Sequence, residues 1–137
     1  MAHKIRRVEY FNATVKDEPG QGYKLLSQLA EMGFNLLAFT AVPVGLLQTQ
    51  LTVFPDDPAK LAQAARTAGL PLTGPYAAFL VQGDDELGAF AGIHAKLYRE
   101  NVNVYASSGV TDGRGSFGYV LYVRPEEYDR AARALGV

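Results

Sequence analysis

The chain repeats itself. Displaced by 68 positions, Asp17 falls on Asp85, Glu18 on Glu86, Gly20 on Gly88, Leu29 on Leu97, Asn35 on Asn103 and Ala38 on Ala106, without a gap. Leu25 faces Ile93 and Phe34 faces Val102, so the apolar pattern travels with the identities. Further on the displacement becomes 70, where Pro55-Asp56-Asp57 faces Pro125-Glu126-Glu127. At the end it is 67, where Gly69-Leu70 faces Gly136-Val137. A longer turn in the second copy and a shorter last helix account for the drift. A duplication constrains the fold more than any composition does, because one small unit must be built twice. The copies divide as 1–74 and 75–137, and the second stops just after its last helix, without a final strand of its own.

Composition sets the outer limits. At 137 residues the chain holds one ordinary domain or two very small ones. With 48% apolar residues it can bury a core. A formal charge of −1 offers no excess of Lys and Arg to neutralise phosphates, so nucleic acid is not expected as a partner. The absence of cysteine removes disulfides, thiol nucleophiles and zinc knuckles together. The first 25 residues carry no apolar core of a signal peptide, and no apolar run reaches the ~20 residues of a membrane span. The expectation is a soluble cytoplasmic protein.

Each copy reads as strand, helix, strand, strand, helix. In the first, Val8–Lys16 is rich in Val, Tyr, Phe and Thr, a strand composition. Asp17-Glu18-Pro19-Gly20 breaks it, and Pro19 with flanking acids signals a helix start. Leu25, Leu26, Leu29 and Met32 make one apolar helix face, stopped by Gly33. Leu36–Val44 and Leu47–Phe54 are strands about a tight turn at Gly45, the second alternating Leu47, Thr49, Leu51 and Val53 with Gln48, Gln50 and Thr52, which predicts one wet face. Pro58–Ala68 is an Ala-rich helix capped by Asp56 or Asp57. The second copy repeats the order with Tyr76–Gln82, Glu86–Glu100, Val102–Val110, Ser116–Val123 and Glu126–Leu135, its hairpin turning at Asp112-Gly113. Such a unit places both helices on one face of an antiparallel sheet, a ferredoxin-like α+β layer. A unit of this size is marginal alone. Phe117–Val123 is apolar on both faces, so the copies are expected to pack together and the chain to form a homodimer.

The repeated Asp-Glu-x-Gly after the first strand is the most chemical feature. A helix start presents unpaired N–H groups and a partial positive charge, which attract a carboxylate. Gly20 and Gly88 let a ligand approach the backbone, and Gly22 adds room in the first copy. Asp17 or Asp85 can pair with an ammonium, and an asparagine amide both donates and accepts. Together these suit a zwitterion. The same residues also serve as plain punctuation, the aspartates as helix caps and the glycines as turns.

Asp17-Glu18-Pro19-Gly20, the Leu25-Leu26-x-x-Leu29 helix and Gly33-Phe34-Asn35-Leu36 resemble the signature of the ACT domain. That pattern is an acidic or amide residue, Pro-Gly, an apolar helix, then Gly-x-Asn-Ile entering the second strand. The whole chain, through its repeat, resembles a stand-alone tandem ACT protein. The resemblance implies a non-catalytic regulatory module that binds an amino acid between paired domains and needs no cofactor. It places the ligand against Asp17, Glu18, Pro19, Gly20, Gln21, Gly22 and Asn35 in the first copy, and Asp85, Gly88 and Asn103 in the second. Pairing the copies side by side would combine Asp17 and Gly20 with Asn103, and Asp85 and Gly88 with Asn35. The second loop departs from the pattern: Leu87 stands where the proline belongs, and Phe90 replaces Gly22, filling or narrowing that pocket.

Other candidates carry less. His94 lies on the buried side of its helix, where the first copy has Leu26, as a core or interface residue or as a pH-sensitive ligand contact. His3 belongs to a frayed terminus, and two unpartnered histidines make no metal site. The Asp56-Asp57 and Glu126-Glu127 pairs read as helix-start acids rather than an acid/base dyad. Gly113-Arg114-Gly115-Ser116 lacks the lysine and the helix of a phosphate loop. Lys4, Arg6 and Arg7 form a solvated basic edge, and the tyrosines at 105, 119 and 122 an interface. No nucleophile–base pair is visible. A small enzyme on the same frame, with Arg114 in its site, and a structural module with a vestigial pocket are the competing functions.

Overall fold

The computed structural model describes residues 3–137. Met1 and Ala2, the first residues of the expected 1–74 repeat, lie outside the described residues. The order of elements is β1 His3–Lys16, α1 Gln21–Glu31, β2 Leu36–Pro43, β3 Gln48–Pro55, α2 Pro58–Ala68, β4 Thr73–Asp84, α3 Ala89–Arg99, β5 Ala106–Thr111, β6 Ser116–Tyr122 and α4 Tyr128–Leu135, the last preceded by a 3-10 turn at Pro125–Glu127. The strands are antiparallel, and the fold is of the ferredoxin-like α+β class.

The chain gathers into two compact units, residues 9–76 and residues 77–137 with 3–8. In the first unit the strands run β2-β3-β1, with residues 73–76 of β4 beside β1. Phe11 pairs with Val53 and Ala13 with Leu51. The side chains on that face meet Leu25 and Leu29 of α1 and Leu61 of α2 in one apolar core. In the second unit residues 3–8 of β1 stand beside β4, followed by β6 and β5. Phe79 pairs with Leu121 and Val81 with Tyr119, packed against Ile93 and Leu97 of α3 and Ala131, Ala132 and Leu135 of α4. The second unit's last element is α4, and residues 3–8 supply the strand beside β4. Two strands therefore pass from one unit into the other, β1 after residue 8 and β4 after residue 76.

This placement changes the reading of the N-terminus. His3 is part of β1, and its ring meets Phe117 edge-on at 5.5 Å. Arg6 donates to Gln82 Oε1 at 3.2 Å, and Arg7 donates to the Val137 carbonyl at 3.2 Å while lying over the Tyr128 ring. Arg6 and Arg7 thus tie a strand to its unit, while Lys4 is exposed as the sequence suggests.

Two further expectations shift. The face of β3 expected to be wet is covered at Thr52, which is 6% exposed and donates from Oγ1 to Asn12 Oδ1 at 2.8 Å. Phe54 beyond it is buried against Tyr10. The displacement of 68 also persists through both hairpins: Val44 N–H donates to Gln48 O as Asp112 N–H does to Ser116 O, both at 3.0 Å. The extra length of the second copy lies after β6, in the 3-10 turn, not in the hairpin. The last helix is shorter as expected, eight residues against eleven.

Candidate functional site

The same hydrogen bonds build both candidate loops. Asp17 N–H donates to Leu47 O and Asp85 N–H to Gly115 O, each at 2.9 Å, tying the end of the unit's strand to its hairpin tip. Gly20 and Gly88, at φ 90° and 81°, then turn the chain through the left-handed region that a Cβ disfavours. Their carbonyls accept from Lys24 N–H and Gly92 N–H, and α1 and α3 begin. No side chain caps either helix. Asp17 and Asp85 are therefore not capping residues, and Pro19 precedes the helix instead of opening it. The first-turn N–H groups, without intrahelical partners, lie beside two exposed carboxylates in each loop.

Beside the first loop is a concavity of about 620 Å³ lined by Lys16, Asp17, Glu18, Leu46, Leu47 and Gln48. One lysine, two carboxylates and two leucines meet there, with Leu46 96% and Leu47 78% exposed. The second unit has a counterpart of about 450 Å³ at the end of β4 and the β5–β6 hairpin, including Asp84, Asp112 and Ser116. Asp112 is held in its turn: its Oδ1 accepts from Arg114 N–H at 2.7 Å and Ser116 N–H at 3.1 Å. Those two backbone donors lower its pKa below the usual carboxylate range. Arg114 thus belongs to an exposed hairpin turn.

Gln21 and Gly22 open α1 directly after the Asp17–Gly20 loop. Asn35 stands at the other end of its unit. Its carbonyl accepts from Asp56 N–H at 2.9 Å, close to the Leu36–Pro55 pair, whereas the hairpin lies beyond the Pro43–Thr49 pair. Asn103 likewise precedes β5 at the end remote from its hairpin. Neither unit brings its own asparagine to its own loop.

The units differ most at the first turn of the helix. A Cβ on Gly22 would meet no atom within 4 Å. Phe90, at the matching station of α3, lies edge-on to Phe117 at 5.2 Å and tilted against Tyr119 at 4.6 Å. His94 Nε2 hydrogen-bonds the Tyr119 hydroxyl, which makes this histidine part of an aromatic cluster. Tyr119 is buried, so it belongs to the core and not to the expected tyrosine surface; Tyr105 is exposed beneath the Arg124 guanidinium. The sequence reading overlooked Gly109, whose backbone the Phe90 ring touches. A glycine within a strand is the available sign of such a close approach.

The acidic pairs resolve individually. Asp57 caps α2, its Oδ1 accepting from Lys60 N–H at 3.1 Å. Glu127 forms an ion pair with Arg130 at 3.1 Å. Among the described residues no three His, Asp or Glu side chains gather in a metal-binding group, and no helix is long and apolar enough to cross a membrane.

No family profile matches this sequence, and no curated protein matches it. Solved structures do. Protein BT0572 from Bacteroides thetaiotaomicron superposes with a TM-score of 0.78 at 16% identity, over 96% of this chain and 88% of that one. The ligand-free regulatory subunit of aspartate kinase from Thermus thermophilus gives 0.64 at 15% identity, over 98% and 94%. The regulatory subunit of aspartate kinase from Thermus flavus gives 0.57 at 17%, again over 98% and 94%. At these identities the likeness is one of fold. The chain has the fold of the aspartate kinase regulatory subunits, the fold that its resemblance to the ACT domain implies.

Proposed function

We propose that this protein is a non-catalytic regulator that binds a free amino acid at the loop following a unit's strand, acting in the cytoplasm as a homodimer. The uncapped helix start beside paired carboxylates carries this reading. Asp17 and Glu18 offer acceptors to an ammonium, while Lys16 and the α1 first-turn N–H groups offer positive charge to a carboxylate. A zwitterion needs both within one short reach. The likeness in fold to regulatory subunits of aspartate kinase supports a regulatory role rather than a chemical one. For the homodimer, β2 leaves Leu37, Phe39 and Val42 exposed along one strand, apolar side chains that a second copy pairing along it would cover.

Binding only to the folded state must raise the melting temperature. A thermal-shift series with each of the twenty amino acids is expected to single out one or a few that stabilise the protein, and Asp17→Ala is expected to abolish the shift. No stabilisation by any amino acid would refute the reading. Light scattering across a concentration series tests the dimer.

A further inference from the structure

We propose that residues 22 and 90 decide which copy takes the ligand and what side chain that ligand carries: Gly22 leaves an apolar slot open in the first unit, and Phe90 fills the same slot in the second. This rests on the amino-acid-binding reading above and specifies it.

Cross-strand partners project to the same face of a sheet. In the first unit Ala41 pairs with Leu51, and Leu51 with Ala13, both members of the core beneath α1. Ala41 therefore lies on the helix-facing side, exposed as Gly109 is in the second unit, and a Cβ on Gly22 would meet no atom within 4 Å. In the second unit Gly109 pairs with Tyr119, and Tyr119 with Val81. Gly109 stands where Ala41 does, displaced by the same 68 positions. Here Phe90, itself 38% exposed, stands in the slot. A Cβ on Gly109 would fall 2.8 Å from Phe90 Cζ and 2.8 Å from Tyr119 Cδ1, so the ring rests on the bare strand backbone. The exchange is coupled: a large residue on the helix requires none on the strand, and the pair Gly22 and Ala41 leaves a vacancy that Phe90 and Gly109 do not.

Phe90 thus marks, within the molecule, the polarity of what the first unit's slot accepts and, less the room the Ala41 methyl takes, the upper limit of its size. The occupant is an aromatic or branched apolar side chain. It belongs to an amino acid whose charged groups reach the Asp17–Gly20 loop, two residues before Gly22. A polar side chain would find no hydrogen-bonding partner on the Ala41 methyl.

The test is calorimetric titration of the full chain with each of the twenty amino acids, for the wild type, Gly22→Phe and Phe90→Ala. The expected result is one apolar amino acid bound per chain, weakened about tenfold or more by Gly22→Phe and changed less than about twofold by Phe90→Ala. Circular dichroism and melting temperature verify folding, and Gly22→Leu serves as the second variant should Gly22→Phe not fold. Preference for a polar amino acid, or indifference to both substitutions at residue 22, overturns this inference while leaving amino-acid binding standing. Loss of binding in Phe90→Ala but not in the residue 22 variants places the ligand in the second copy and overturns it equally. No binding of any amino acid removes the functional reading itself, and this inference with it.

Discussion

The two units share a hydrogen-bond skeleton down to single bonds, yet they distribute bulk in opposite ways. After each helix the chain reverses through a left-handed residue, Gly33 in one and Asn101 in the other, and the next amide returns to the helix: Phe34 N–H to Leu29 O, Val102 N–H to Leu97 O. Up to the second hairpin strand the backbones correspond closely, so the divergences there lie in side chains; beyond it the second unit adds the 3-10 turn and shortens its last helix. The first unit puts Leu61 at the centre of α2, where the second has small Ala131 and Ala132 in α4 and recovers volume by stacking Tyr128 on Phe79 at 4.5 Å. At the start of the first helix the bias reverses, with Gly22 against Phe90. A duplicated scaffold can thus keep its geometry in both copies while its open space survives in one.

The largest test of this comparison is Leu61→Ala, which removes the bulk that the first unit places in its last helix. Leu61 is fully buried, so the expected loss is about 2–5 kcal/mol. Chemical denaturation measures it, and a loss near zero would mean that α2 packs loosely. Smaller, and sharper for the site, is Gly109→Ala. The added methyl presses on Phe90 and on the buried Tyr119, costing about 1–3 kcal/mol. Combining it with Phe90→Ala is expected to recover part of that, a coupling that a double-mutant cycle reads directly. The smallest effect concerns the hairpins. Asp112 accepts two backbone N–H groups in the second hairpin, where the first has Val44. Its pKa is lower folded than unfolded, so the unfolded chain binds the proton first and stability rises with pH through that window. The contribution is present above the ordinary value of 3.8 and lost as pH falls through the folded one. Asp112→Asn is expected to flatten the acid end of the stability profile slightly, and Val44→Ala to leave it unchanged.

Much of this was legible in the sequence because helices and loops declare themselves locally. The apolar spacing of Leu25 and Leu29, the breaks at Gly20 and Gly88 and the cap at Asp57 each act within a few residues. The order of elements followed from them. What stayed hidden depends on partners distant along the chain. Residues 3–8 look like a basic tail because an outer strand needs only its backbone to pair, and Arg6 and Arg7 find their partners at Gln82 and Val137. Phe90 and Gly109 are individually unremarkable; only their meeting across 19 positions of sequence makes a plug. The aspartates of the loops read equally well as caps, because an acidic residue before a helix has the same spelling whether or not its carboxylate turns to the helix N–H groups. Asp57 does so, and in the loops no side chain does.

The strands that pass between units have a consequence for any attempt to take the molecule apart. A gene cut at the similarity boundary after residue 74 would yield two fragments, and neither would match a compact unit of the fold. One would carry residues 3–8 with nothing to pair them to; the other would display the bare edge of β4 where those residues belong. Such edges recruit whatever strand is at hand. Each half of this chain is therefore the other's missing part, and the smallest piece that can be inherited, expressed or transplanted intact is the pair.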